Sequence, residues 1–272
     1  MINPDYYRLK VSTHHLATGS GDMQTTLIFT PMSALPIFYQ DTIFTTGRQL
    51  ALDEDAARHI GQVLRMKEGE QLELANGKGA SAHCLITEAG KKKCTVLIQA
   101  VRELPQSTPA LHLAIALTKN TSRNEWLLEK ATELGAGRIT PLLTSRTERE
   151  RFRFDRLHNI LVSAMMQSQQ YWLPQLDEPT AFESLIEHRA DRQLLIAHCM
   201  DEPERHPLSQ TLQPGTDTLI LIGPEGDFSK EEVTLAMQYG AKGITLGHTR
   251  LRTETAAMAA CAYFHLLNDH KK

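Results

Sequence analysis

The sequence predicts an α/β protein built from a small β-rich unit followed by a larger unit of alternating strands and helices. Three observations carry that expectation. Residues 37–101 break into short runs of period two separated by turn signals, the pattern of a compact meander or barrel. After Ala110 the rhythm changes to apolar strands alternating with capped amphipathic helices, the signature of a parallel layer. Between them, Glu103-Leu104-Pro105-Gln106-Ser107-Thr108-Pro109 has the composition of a linker. The expected boundaries are 1–34 for an extension without sustained period, 35–106 for the β unit and 107–272 for the α/β unit. Hydrophobic residues make up 41% of the 272 and charged residues 22%, which suffices for a buried core.

Within the β unit, Ile43-Phe44-Thr45-Thr46 is strand-prone. A short helix follows, started by Asp53 or Asp55, with Ala56, Ile60, Val63 and Leu64 on one face. Gln71–Leu74 alternates, Asn76-Gly77 signals a hairpin, Ala82–Ile86 alternates again, Gly90–Lys93 turns, and Thr95–Val101 returns. In the α/β unit, strands are expected at Leu111–Leu117, Ile139–Leu143, Leu194–Ala197, Thr218–Ile222 and Ile244–Leu246. Helix starts are expected at Ser122 with Glu125, at Asp155, at Thr180 with Glu183, at Ser229 with Glu232, and at Thr253; Gly135 and Gly240 stop two of them. The inner face of the Asp155 helix reads as Leu157, Ile160, Leu161, Ala164 and Met165.

Several function classes are disfavoured. Lys+Arg 29 against Asp+Glu 32 gives a net charge of −3, so bulk charge announces no nucleic acid, although a local basic face is compatible with it. Cys84, Cys94, Cys199 and Cys261 show no paired spacing and suggest neither a disulfide framework nor a zinc site. Cys261 and His265 lie four apart on a helix but lack a third ligand, so no metal is expected. The nearest candidate for a membrane span, Leu27–Phe38, is broken by Pro31 and Pro36, and neither a membrane span nor a signal peptide is expected. A soluble protein of the reducing cytoplasm is the reading these features favour.

Two segments place glycine and charge just beyond strand ends, where ligands of open α/β sheets bind. The first is Ile222-Gly223-Pro224-Glu225-Gly226, ahead of a helix start that offers free N–H groups. Gly-Pro-x-Gly also reads simply as a tight turn. The second is Leu246-Gly247-His248-Thr249-Arg250-Leu251-Arg252-Thr253-Glu254-Thr255-Ala256. Thr253 can cap that helix and Glu254 complements its dipole, but Arg252 stands at the wrong end of the dipole unless it meets a phosphate, a carboxylate or a developing oxyanion.

Together, Gly223-Pro224-Glu225-Gly226 and Leu251-Arg252-x-Glu254-Thr255-Ala256 resemble the late motifs of the SPOUT methyltransferases, and more narrowly those of the RsmE family. Lys119, Lys130–Gly135, Pro141 and Thr144-Ser145-Arg146 match the same pattern, and His59–Met66 with Gly69 resembles that family's PUA-like RNA-binding module. Thr249 stands where the family usually has an arginine, and Met166 and Gln170 stand where it commonly has glutamate and arginine. The resemblance implies a PUA-like β-barrel ahead of a knotted SPOUT domain. It further implies a homodimer and methylation of uridine N3 in 16S ribosomal RNA, free or in the small subunit, with S-adenosylmethionine as donor. On this reading Ala197, Ile222, Gly223, Pro224, Glu225, Gly226, Leu246, Gly247, Leu251, Arg252, Thr255 and Ala256 hold the cofactor. Arg252 and Glu254 carry the chemistry, and Arg65, Lys119, Arg123 and Arg146 bind RNA.

The rival readings are a related enzyme acting on tRNA or a ribose 2′-hydroxyl, and a catalytically silent RNA-binding assembly factor. A continuous basic track is expected from Arg58, Arg65, Lys67 and Lys91–Lys93 to Lys119, Arg123, Arg146, Arg149, Arg151 and Arg153.

Overall fold

The computed structural model describes residues 10–15, 25–30, 35–90, 92–147, 152–188, 192–201 and 204–269. In the N-terminal extension, Lys10–His15 (β1) and Thr25–Thr30 (β2) pair antiparallel as a separate two-stranded sheet. The sequence reading gave this extension no regular structure. The run Thr25-Thr26-Leu27-Ile28-Phe29-Thr30 is nevertheless rich in the β-branched and aromatic residues that suit a strand.

The β domain contains Ile37–Tyr39 (β3), Gln49–Ala51 (β4), Glu54–Arg58 (α1), Gln71–Ala75 (β5), Ala80–Ala89 (β6) and Cys94–Glu103 (β7). Five strands in the order β3-β5-β6-β7-β4 enclose one core with Phe38, Leu72, Leu74, Ile86 and Ile98 at its centre. Two expectations fail here. Ile43–Thr46 is not a strand: Phe44 is buried but Ile43 is 80% exposed, because the chain turns back at Gly47 (φ 84°) to reach β4. Asp53 does cap α1, but the helix widens into a π-helical turn over His59–Val63. The Leu64 N–H reaches the His59 carbonyl, and Met66 N–H reaches that of Ile60. The extra residue rotates the face, so Ala57 and Ile60 are buried while Val63 and Leu64 are 66% and 43% exposed.

The α/β domain is a parallel sheet with helices on both faces. Its elements are Leu111–Ile115 (β8), Thr121–Glu133 (α2), Arg138–Leu143 (β9), Phe154–Gln167 (α3), Gln175–Leu176 (β10), Thr180–Ala181 (β11) and Phe182–Glu187 (α4). There follow Gln193–Ala197 (β12), His206–Pro207 (β13), Leu208–Thr211 (α5), Thr218–Ile222 (β14), Lys230–Gln238 (α6), Lys242–Thr245 (β15) and Thr253–Asn268 (α7). The strand order is β10-β9-β8-β14-β12-β15-β13, with β11 also on β9. Side chains alternate between two cores. Leu111, Leu113, Ile115, Ile220 and Ile222 face α2, α3 and α7, whereas Ala114, Leu219 and Leu221 face Phe182 and Phe228 beside α4 and α6. Burial on both faces explains why these strands read as continuous apolar runs.

Three caps differ from expectation. Asn120, not Ser122, caps α2 by accepting the Arg123 N–H. Thr180 lies in β11 and donates to the Glu178 carbonyl, so α4 begins without a side-chain cap. Arg252 occupies the cap position of α7, and the Thr253 hydroxyl is turned elsewhere. The capping box Ser229–Glu232 is present with both of its hydrogen bonds.

At the amino ends of the central strands, a partly buried chain of polar groups, with His112 and Thr140 buried at its centre, stitches β8 to β9. Arg192 donates to His112 Nδ1 (3.1 Å), His112 Nε2 donates to Thr140 Oγ1 (2.7 Å), and Thr140 donates to Asp177, which also accepts from Arg138 Nε (2.7 Å). An arginine donor at Nδ1 requires the neutral tautomer with hydrogen on Nε2. Burial pushes the His112 pKa down to about 4 from the ordinary 6.5, with Arg138 and Arg192 adding to the shift. Below pH 6.5 the unfolded chain binds a proton that the fold refuses, so stability falls as pH drops from 6.5 toward 4. Between about pH 7 and pH 5, wild type should lose about 2 kcal/mol more stability than His112→Asn in urea titrations.

Candidate active site

The carboxyl ends of β8, β14, β12 and β15 lie side by side, and the loops that leave them converge on Gly223–Asp227. The loop after β14 closes as a turn in which Asp227 (φ 65°) donates its N–H to the Pro224 carbonyl (2.9 Å). The Asp227 carboxylate then accepts from Cys199 N (2.7 Å) and from Phe228 N (2.8 Å), bolting the β12 loop to the β14 loop. From the other side, Thr253 Oγ1 donates to the Gly223 carbonyl (3.1 Å), which ties the start of α7 to the same loop. Arg146, on the loop after β9, donates Nη1 to the Gly226 carbonyl. Glu232 anchors that loop further: one carboxylate oxygen accepts from Ser229 N and the other from Ser145 N, both at 2.7 Å.

The glycines have distinct reasons. A Cβ on Gly223 would stand 3.1 Å from the Phe228 ring and 3.2 Å from its backbone nitrogen, so this glycine is demanded by close packing. Gly226 is exposed, and a Cβ there would meet only the flexible Arg146 side chain, at 3.3 Å. Gly247 adopts φ 127°, a conformation reserved for glycine, and a Cβ there would meet no protein atom.

The structure brings together most of the residues singled out from sequence. Ala197, Leu246 and Ala256 are half-buried apolar side chains packed on one core, and Leu117 joins them from the β8 loop. Ile222, Gly223 and Pro224 are buried, whereas Glu225, Gly226, Arg252 and Thr255 are exposed and Leu251 is half-buried. Lys119 is exposed on the loop between β8 and α2. Glu254, singled out from sequence to orient Arg252 or to accept the proton, is buried and sits 3.7 Å from Arg123 Nε on α2. Arg65 belongs to the β domain, where it follows the π-helical turn. Arg146 touches the glycine loop directly, so its removal would disturb that loop as well as any RNA contact.

Sequence reading missed Asp227, Thr253 Oγ1 and the second bond of Glu232, because each joins positions far apart in the chain. It also missed His198, which is buried at the end of β12 and finds no hydrogen-bond partner for either ring nitrogen among the described residues. Its Nε2 lies where a Cβ on Gly243 would approach to 2.8 Å, and burial lowers its pKa. Gln170 donates to the Thr132 and Glu133 carbonyls (2.9 and 3.1 Å), closing the end of α2.

The basic track is modified too. Arg58 faces Glu54 and Asp55, Lys92 faces Glu54, and Lys93 faces Glu88. Among the described residues, Arg65 and Lys67 have no ion pair. Lys91, Arg149 and Arg151 lie outside the described residues. No group of acids, histidines and cysteines able to hold a metal occurs among the described residues, and none of their helices is long and apolar enough to cross a membrane.

Residues 105–265 match the model of an RNA methyltransferase domain, and residues 52–99 match that of an RNA methyltransferase PUA domain. The chain is 30% identical to ribosomal RNA small subunit methyltransferase E of Mycobacterium bovis, over 82% of this chain and 88% of that one. A methyltransferase from Legionella pneumophila, solved with bound SAM, is similar at a TM-score of 0.78 and 31% identity, covering 87% of this chain and 99% of that one. Ribosomal RNA small subunit methyltransferase E from Neisseria gonorrhoeae, bound to S-adenosyl methionine, is similar at a TM-score of 0.74 and 25% identity, covering 86% and 98%.

Proposed function

The chain belongs to the ribosomal RNA small subunit methyltransferase E family, and on that premise we propose that it methylates N3 of a uridine in 16S ribosomal RNA, with S-adenosylmethionine as donor. The observation that carries this reading is the junction at Gly223–Asp227. Loops from β9, β12 and β14 and the start of α7 are locked around one short glycine turn at the strand ends. Relatives of similar fold bind this cofactor, and the residues present here fit it. Ala197, Leu246 and Ala256 offer half-buried apolar surface for a flat base, and the glycine turn offers backbone without side chains in the way. When bound, S-adenosylmethionine supplies a methyl group on a positively charged sulfur.

The protein's own residues would do the rest. The uracil N3–H is a weak acid, and as its proton leaves, negative charge spreads to the ring carbonyls. Arg252, exposed at the start of α7, would stabilise that charge together with the helix N-terminus. Glu254, which sits 3.7 Å from Arg123 Nε, would accept the proton in this scheme. Residues 35–106 bind RNA in this scheme and residues 107–272 transfer the methyl group, through the knotted topology of the SPOUT fold. Trp126, Phe154 and Leu266, exposed on α2, α3 and α7, supply the face of a homodimer. The cytoplasm is the compartment that holds such a substrate.

Arg65 provides a test of the RNA half. It sits at φ 57° as the left-handed residue that ends the π-helical turn, a position where arginine costs about 1 kcal/mol and glycine costs little. Arg65→Gly should therefore leave the melting temperature unchanged or slightly raised. It should also weaken binding of small-subunit RNA and flatten the log–log salt slope by about 0.7–0.9. Wild-type RNA affinity at all salt concentrations would remove Arg65 from the interface. For the reaction itself, a labelled methyl donor with small-subunit RNA should deliver about one methyl group per RNA.

A further inference from the structure

The segment that follows α3 belongs to both domains at once. Its ends are fixed to the α/β domain. Gln170 N donates to Met165 O (2.9 Å) while its side chain closes α2, and Gln175 N donates to Gly137 O (3.0 Å) as β10 joins β9. Its middle, Tyr171-Trp172-Leu173, pairs with the β5–β6 turn of the β domain. Gly79 N donates to Tyr171 O (3.0 Å) and Leu173 N donates to Gly77 O (2.9 Å).

Side chains lock the same contact. Trp172 Nε1 donates to Leu104 O (3.0 Å), and Leu104 N donates to Gly79 O (2.8 Å), so the indole also holds the start of the linker. Tyr171 Oη donates to Glu73 Oε2 (2.9 Å), whose other oxygen accepts from Ser81 (2.6 Å), and the Arg102 guanidinium lies over the Tyr171 ring. The turn glycines make room for this. A Cβ on Gly79 (φ 90°) would stand 2.5 Å from Trp172, and one on Gly77 (φ 72°) would stand 3.0 Å from the Leu173 Cβ. The Asn76-Gly77 signal thus marks more than a hairpin: its turn is shaped to receive the strap.

We propose that Tyr171–Leu173 is a clamp that holds the β domain in one fixed position relative to the methyltransferase domain, so that the distance between RNA grip and active site selects which uridine is methylated. The functional half of this proposal rests on the methyltransferase reading above. The linker at residues 104–110 alone would leave the β domain free to sample many orientations. Methyl transfer tolerates misplacement poorly, and an error of about 1 Å costs up to about 100-fold in rate. Trp172 is accordingly a positioning residue, since it contacts the linker and the turn rather than the reacting groups.

The test is full-length Trp172→Ala, with Trp172→Phe as the conservative variant and Tyr171→Phe with Glu73→Gln as a variant that leaves both cores intact. Small-angle X-ray scattering should show an enlarged and broadened distance distribution for Trp172→Ala, largely restored by Trp172→Phe. Affinity for S-adenosylmethionine should be unchanged and RNA affinity altered by less than about threefold, while kcat falls about 10- to 100-fold and label spreads to neighbouring uridines. Should Trp172→Ala not fold, the Tyr171/Glu73 variant is expected to show the same changes in smaller measure. A folded variant with wild-type scattering and wild-type site selectivity would overturn the clamp. Because scattering requires no substrate, failure of the clamp is distinguishable from failure of the methyltransferase reading.

Discussion

Arg252→Ala is expected to lower kcat for methyl transfer by about 10²- to 10³-fold, measured with S-adenosylmethionine at saturation. The basis is position. Arg252 caps α7 through its backbone, its carbonyl accepting the Ala256 N–H (2.8 Å), and its side chain is exposed at the junction of the strand-end loops. Removing the side chain therefore leaves the fold in place. A cation at a helix N-terminus opposes the dipole, an arrangement that costs stability unless an anion or developing oxyanion is met there. The variant should be as stable as wild type, or slightly more so. Single-turnover kinetics with saturating cofactor and RNA check the prediction, and an unchanged rate would move the oxyanion partner elsewhere.

Gly226→Val is expected to reduce cofactor affinity by about 30-fold or more in calorimetry without lowering the melting temperature. Gly226 is exposed and has an ordinary backbone conformation, and a Cβ there would press only on the movable Arg146 side chain. Its carbonyl accepts from Arg146, so a branched side chain disturbs the turn where backbone must approach the ligand. Gly223→Val serves as the contrast. It would drive Phe228 out of a fully buried site, so the same loss of binding would come with a large loss of stability. Unchanged affinity in folded Gly226→Val would reassign the cofactor site.

The parts of this molecule that depend on neighbouring residues were legible. The strand Thr218–Ile222 and the capping box Ser229–Glu232 follow from local apolar runs and one spacing rule. Both glycine segments stand out because strand, glycine and charge follow one another within a dozen residues. What was not legible depends on distant partners. Nothing local tells that Asp227 receives Cys199, that Thr253 turns from its own helix to Gly223, or that Glu254 faces Arg123. The π-helical turn was hidden for a different reason. His59–Val63 has an acceptable α-helical face, and only packing in the β domain selects the widened turn that exposes Val63 and Leu64. The strand Ile43–Thr46 failed similarly: β propensity was right for Phe44 as a core residue, but the chain needed a turn there.

Mapping the modified base tests the central claim most directly. Small-subunit RNA lacking the modification, incubated with this protein and S-adenosylmethionine, should yield a single methylated nucleoside whose methyl group is on N3 of uridine, as read by mass spectrometry against nucleoside standards. The Arg252→Ala protein should yield little of it in the same time. A methyl group on a ribose 2′-hydroxyl or on another base, or no incorporation by a protein that binds the cofactor, would contradict the account.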